Sequence, residues 1–254
     1  MEEEIIKIAI FGDSISEGIG SRKINYSNFL KEKIEDKGLK CKIYNYAYTG
    51  TTIKYMETLE SEWKSKYYDY VIIFYGNVDG MLRPNQLHKP NYFKYLPKRY
   101  KQNGMLNPRP YFSSNKYKRF IQKLDSNFRC FLNKLLLNLQ GTTVLCDIDT
   151  FENIYKKYLE YFKEVDTNVI TISTVYVDDK YFPGTNFKYL KYNSIIKNLS
   201  INFDNVKFID MYKYSKFYLN DDFYYEDYFH PNENGYKKIA QLIFNNIYLI
   251  NNSK

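Results

Sequence analysis

The chain predicts an α/β protein: a three-layer α/β/α sandwich with a central parallel sheet. Three observations lead there. Strand-like and helix-like patterns alternate along most of the 254 residues, an arrangement that builds parallel sheets covered by helices on both faces. The strand candidates at 5–11 and 70–75 are almost wholly apolar, as strands buried on both faces tend to be. Hydrophobic residues make up 44% of the chain, enough for a sizeable core. No internal repeat and no Gly/Ser linker divides the sequence, so 1–254 reads as one domain.

The elements follow in order. Residues 5–11 form the first strand. A helix spans 26–37, with Phe29, Leu30 and Ile34 on one face and Gly38 as its stop. Residues 41–46 read as a second strand, 52–63 as a helix and 70–75 as a third strand, apolar enough for the sheet centre. The rhythm then breaks. Residues 80–115 hold five of the seven prolines and a run of tyrosines and phenylalanines. Proline at this density excludes a long helix or a central strand, and the aromatic content argues against simple disorder. A loop this long in a compact domain is expected to act as a lid or binding loop. A long amphipathic helix resumes at 116–139 and stops at Gly141. A short strand at 143–146, a helix at 151–162 and a clear strand at 168–173 come next. After a loop with Pro183-Gly184, a helix at 187–199, a strand at 206–209 and a helix at 232–249 close the chain.

The formal charge of +8 is not spread evenly. From Gly80 to Leu124 there are 11 Lys or Arg and no Asp or Glu; the remainder carries 26 basic against 29 acidic residues. The basic character is one segment. The abundance of Tyr, Phe, Lys, Ile and Asn reads as AT-rich codon usage. Cys41, Cys130 and Cys146 are odd in number and lack metal-type spacing, so they read as reduced, buried thiols. The acidic N-terminus lacks the basic and apolar regions of a secretion signal. No stretch reaches the roughly 18 apolar residues of a membrane helix. The expected location is cytoplasmic. Phosphate-loop, zinc and dinucleotide motifs are absent, and Gly18-Ile19-Gly20 lacks the rest of a dinucleotide fingerprint. No metal and no cofactor is expected.

Two short motifs carry chemistry. Gly12-Asp13-Ser14 follows the first strand at a strand-to-helix turn, which can lift a hydroxyl into a cleft and aim backbone N–H groups at a developing oxyanion. Asp227 and His230 lie three residues apart just before the last helix, and His230 is one of only two histidines. That spacing can set a carboxylate against Nδ1 and leave Nε2 facing a serine. Alone, each motif reads as an ordinary turn or cap. Together, at the C-terminal ends of strands where such sheets gather their sites, they supply a nucleophile, a base and an orienting carboxylate.

In these blocks the chain resembles the SGNH/GDSL hydrolase superfamily, whose fold is an SGNH/flavodoxin-like sandwich. The resemblance rests on Gly12-Asp13-Ser14, on Gly50 in the loop after the second strand, on Gly76-Asn77-Val78-Asp79 after the third, and on Asp227 with His230. It implies Ser14 as nucleophile, His230 as general base and Asp227 as its orienting partner. It also implies an oxyanion hole from the backbone N–H groups of Ser14 and Gly50. The third block departs from the pattern: the family's asparagine stands two residues after the glycine, where this chain has Val78. Asn77 comes one position early, so it either donates from a distorted loop or the third arm is missing. Asp79 is expected to hold the loop through backbone N–H groups. The deviation resembles a subgroup associated with bacterial surface-polysaccharide biosynthesis.

The basic, aromatic segment follows that third block, so it is expected to overhang the cleft and bind a long or anionic substrate. Aromatic faces stack on sugars, and Lys or Arg pairs with carboxylate or phosphate. Arg83, Lys98, Arg99 and Arg109 are the first candidates, with Asp13 also placed at the substrate; His88 reads as a surface histidine. Single-stranded nucleic acid suits such a composition too, but no recognised binding module accompanies it. The expected function is therefore an SGNH-type serine esterase that removes an O-acyl group, O-acetyl foremost, from a carbohydrate. The alternatives are an O-acetyltransferase with the same Ser-His-Asp site and a catalytically impaired glycan-binding or scaffold protein.

Overall fold

A computed structural model describes residues 5–19, 24–85, 95, 97, 114–219 and 222–251. Five parallel strands form the central sheet: β1 (Ile5–Gly12), β2 (Lys40–Asn45), β3 (Tyr70–Phe74), β6 (Asn168–Ile172) and β7 (Val206–Ile209). Their order is β2-β1-β3-β6-β7. The uninterrupted apolar strand, β3, is the middle one, and all its residues are buried, as expected. Two further two-residue strands, β4 (Arg83–Pro84) and β5 (Thr142–Thr143), pair with each other antiparallel, away from the sheet.

The helices are α1 (Ser14–Glu17), α2 (Tyr26–Glu35), α3 (Tyr55–Thr58), α4 (Glu60–Trp63), α5 (Asn77–Gly80), α6 (Lys116–Gln140), α7 (Ile148–Glu164), α8 (Thr185–Ile201), α9 (Met211–Phe217) and α10 (Glu233–Asn251). They cover both faces of the sheet. Because side chains alternate along a strand, Ile8, Ile10, Ile72 and Ile170 face Leu30 and Ile34 of α2 and Ile239 and Ile243 of α10. Ala9, Phe11, Val71 and Val169 face the opposite way, toward Trp63, Phe151, Leu159 and Ile196. This is the predicted sandwich.

Two expectations need correction. The helix read at 52–63 is two short helices that meet at Leu59. The Trp63 indole N–H donates to the Met56 carbonyl at 3.0 Å, which competes with the helical bond that carbonyl would accept. The strand read at 143–146 is only Thr142–Thr143. Beyond it, the Leu145 and Cys146 N–H groups both donate to the carbonyl of Asp79, so this segment supports the turn after β3 instead of extending a sheet. All three cysteines are free and buried. Among the described residues, no helix is long and apolar enough to cross a membrane.

Candidate active site

Ser14 sits on the first residue of α1, where β1 ends. Asp13 caps this helix by accepting from the Ile15 N–H at 3.0 Å. Asn25 holds the same turn from the other side, its amide nitrogen donating to the Ser16 and Glu17 carbonyls. Tight packing fixes the exit of the strand. A Cβ on Gly12 would lie 2.7 Å from that of Ser16 and 3.1 Å from the Phe74 carbonyl oxygen, so only glycine lets α1 lie this close to β3.

The second half of the site comes from the segment before α10. Asp227 is fully buried. Its Oδ1 accepts from the N–H groups of Phe229 (3.1 Å) and His230 (3.0 Å), and its Oδ2 lies 2.6 Å from His230 Nδ1. A carboxylate can only accept, so Nδ1 carries the proton and Nε2 is free to accept. Nε2 lies 2.8 Å from Ser14 Oγ, and the hydroxyl donates to it. Between Asp227 and His230, Tyr228 has a φ of 56°, a left-handed conformation that costs a non-glycine residue about 1–3 kcal/mol. Its ring stacks on Tyr181, 4.3 Å between centroids and 10° from parallel. Its N–H donates to Tyr225, whose own N–H donates to the His230 carbonyl. The corner is thus closed on itself by the backbone and clamped by an aromatic pair.

The turn after β3 supplies the remaining groups. Gly76 has a φ of 114°, open to glycine, and α5 starts directly after it. Asp79 accepts from the N–H groups of Ile53 and Gly76, both at 2.9 Å, which is the loop-holding role anticipated for it. Asn77 is fully buried: Oδ1 accepts from the Val175 N–H at 2.9 Å, and the Asn77 carbonyl accepts from the Tyr189 hydroxyl at 2.8 Å. Its Nδ2 is enclosed without a hydrogen-bond partner, as is Asp13 Oδ2. The Asn77 amide still lies close enough to help Asp13 carry charge. Burial pushes the Asp13 carboxyl up to about 6, against the opposing pull of Ile15, His230 and Asn77. Burial likewise pushes Asp79 up to about 7, with Asp13 adding to the rise.

Two residues, Asp13 and Arg83, lie elsewhere than the sequence suggested. Asp13 is completely enclosed; it caps α1 and cannot meet substrate directly. Arg83 is 6% exposed, and its Nη1 donates to the carbonyls of Val78 and Met81 at 2.9 Å. It belongs to the interior beneath the α5 turn rather than to an overhanging surface. The physical reason is local: that turn leaves buried carbonyls needing a donor, although burial works against the charged guanidinium and is only partly offset by Tyr189, Asp79 and Asp13. Gly50 lies in an exposed turn with a φ of 76° and open space where a Cβ would go. Lys98, Arg99, Arg109 and His88 fall outside the described residues. Sequence reasoning missed Asn25, Tyr181 and Tyr189; only the third dimension brings them to the site.

Beside this corner lies an open depression of about 690 Å³, lined by Tyr224, Tyr225, Glu226, Tyr228, Asn232 and Arg119 among others. It borders the segment that carries His230, although neither Ser14 nor His230 lines it.

The model of the GDSL-like lipase/acylhydrolase family matches residues 10–238. Among solved structures, the chain is similar to a lipase/acylhydrolase from Enterococcus faecalis, with 20% identity over 95% of each chain and a TM-score of 0.61. It is similar also to Axe2, an acetylxylan esterase from Geobacillus stearothermophilus, with 14% identity over 94% of this chain and 93% of that one and a TM-score of 0.61. Two solved variants of Axe2, one with a serine and one with a histidine replaced by alanine, are described as catalytic mutants. No curated protein sequence matches the chain.

Proposed function

The chain belongs to the GDSL-like lipase/acylhydrolase family, a family of ester-bond hydrolases, and we propose that it acts as a serine esterase on O-acyl groups of a carbohydrate, O-acetyl foremost. The observation that carries the reading is the continuous relay from Asp227 through His230 to Ser14, at 2.6 and 2.8 Å. In the proposed cycle, the Ser14 oxygen attacks the ester carbonyl carbon as its proton passes to His230 Nε2. The imidazolium is held by the Asp227 carboxylate. The carbonyl electrons move to an oxyanion, met by the backbone N–H groups of Ser14 and Gly50. Collapse of this intermediate breaks the C–O bond to the sugar, whose oxygen leaves with the proton from His230. Water then attacks the acyl-enzyme, giving up a proton to His230. Release of the carboxylic acid restores Ser14.

A carbohydrate is favoured by the depression beside the corner. Tyr224, Tyr225 and Tyr228 line it together with Asp222, Asn232 and the Arg119–Glu226 ion pair, a mixture of aromatic and polar groups of the kind that suits a sugar. The acetylxylan esterase activity stated for Axe2 suits the same substrate class. The basic residues Lys98, Arg99 and Arg109 are proposed to serve an anionic portion of the substrate.

The test is hydrolysis of p-nitrophenyl acetate and of an acetylated oligosaccharide by the wild type and by Ser14→Ala. Acetate release from both substrates, abolished in the variant, is the expected result. Equal rates from both proteins would remove Ser14 as nucleophile. Aryl acetate hydrolysis by the wild type that Ser14→Ala abolishes, with no acetate released from any oligosaccharide, would keep the esterase and reject the carbohydrate.

A further inference from the structure

Glu17 ends α1, the short helix that Ser14 begins. Its Oε2 accepts two bonds from Thr49, one from the backbone N–H at 2.6 Å and one from the side-chain hydroxyl. Thr49 directly precedes Gly50, and the two form the middle of a turn. The Thr51 N–H and hydroxyl close it, donating to the Tyr48 carbonyl at 3.3 and 2.6 Å. The φ angle is negative at Thr49 and 76° at Gly50, the pattern of a type II turn, whose second central place favours glycine. The segment before the turn is laid along β1 and α1 rung by rung. The Tyr46 N–H donates to the Ile10 carbonyl at 2.8 Å and the Tyr48 N–H to the Gly12 carbonyl at 3.2 Å. The Asn45 amide nitrogen donates to the Ser16 carbonyl at 2.9 Å. Since β1 ends at Gly12, the rung at Thr49 is supplied by a side chain, that of Glu17. The Gly50 N–H, one residue on, has no acceptor among the described residues.

We propose that Glu17 is a positioning residue for the reaction: it ties the Gly50 turn to α1, so that the backbone N–H groups of Ser14 and Gly50 meet one oxyanion at a fixed separation. This rests on the esterase reading above and deepens it. The two donors belong to different segments, so covalent geometry alone does not set their spacing. A peptide unit is a rigid plane, and the plane that carries the Gly50 N–H begins at the Cα of Thr49. Gripping Thr49 by both its backbone and its side chain therefore governs where that N–H points. Oxyanion donors act through alignment made in advance, and a misplacement of about 1 Å can cost about 10²-fold in rate. Both bonds from Thr49 end on the same oxygen. An amide oxygen has the two lone pairs needed to accept both. Glutamine should therefore replace Glu17, and alanine should not.

The experiment measures kcat and KM for p-nitrophenyl acetate on the full chain. Glu17→Ala is expected to lower kcat by ~10–10²-fold with KM little changed, and Glu17→Gln to run near the wild-type rate. Thr49→Pro removes both donors, leaves α1 untouched and suits the first central place of a type II turn. It should lose as much as Glu17→Ala. The Glu17→Ala/Thr49→Pro double variant should lose no more than either alone, because the two changes break one shared interaction. Glu17→Ala at the wild-type kcat would overturn the proposal, and a rise in KM alone would overturn it in favour of a contact with substrate. Glu17→Gln as slow as Glu17→Ala would make charge the cause rather than the grip on Thr49, and would also overturn it. Thr49→Pro at the wild-type rate would confine the effect to α1, with the same consequence; where Thr49→Pro fails to fold, the alanine and glutamine pair still decides. Equal rates for the wild type and Ser14→Ala would remove the esterase reading and this proposal with it, a result distinct from any within the Glu17 series.

Discussion

The corner at Asp227–His230 and the turn at Asn77–Gly80 both border the Ser14 turn, and they are built on opposite plans. At the corner, the Asp227 carboxylate accepts three bonds, and both imidazole nitrogens are engaged. In the turn, Asn77 Nδ2 and the nearby Asp13 Oδ2 are sealed in without partners, and two carboxyls and a guanidinium share the interior. The half proposed to transfer the proton therefore already has its hydrogen bonds in place. The other half holds polar groups away from water, where each is costly unless paired. The difference predicts that damage to the corner will be read in rate, and damage to the turn chiefly in stability.

The largest effect should come from the corner. His230→Ala and Ser14→Ala are each expected to lower kcat on a chromogenic acetate by at least ~10³-fold, with melting temperature little changed. A comparable loss of stability would break the contrast. Next comes Arg83→Met, which strands the buried Val78 and Met81 carbonyls. Chemical denaturation should report a loss of about 2–3 kcal/mol. If the variant instead stays stable and only loses low-salt affinity for an anionic substrate, Arg83 is a substrate ligand after all.

Asn77→Ala sharpens the comparison further. It leaves the buried Val175 N–H unsatisfied, so a loss of about 1–3 kcal/mol is expected. A fall in kcat of ~10²-fold or more at unchanged stability would instead make Asn77 an oxyanion donor. The smallest effect concerns pH. Asp13 and Asp79 are raised in the folded state to about 6 and about 7 from the ordinary 3.8. The folded protein thus binds protons more tightly than the unfolded chain. Their stabilising contribution is whole below the ordinary carboxyl value and disappears as pH climbs through 6 and 7. The melting temperature should fall between pH 5 and pH 8 on this account, and Asp79→Asn should flatten the slope.

Much of this was legible in the chain, for identifiable reasons. The apolar run at β3 marked the sheet centre because a strand covered on both faces has no polar side. Asp227 and His230 were legible as a pair because their contact is local, three residues apart. Arg83 was misread because the basic block was treated as one surface, whereas its first member answers to carbonyls two and five residues before it. The Tyr181–Tyr228 stack joins residues far apart in sequence, and the Asn77–Val175 bond does the same; no spacing rule encodes either. The break at Leu59 was hidden because an indole N–H, not a proline or glycine, disturbs the helix.

Gly12 has a consequence for how this protein can change. It offers no group to any reaction, yet the smallest possible addition there would collide with the Ser16 side chain and push α1 away from β3. In a library of all single substitutions selected for esterase activity, position 12 should tolerate as little as position 14. One site would be barred by chemistry and the other by want of room, and sequencing the survivors alone would not tell the two apart.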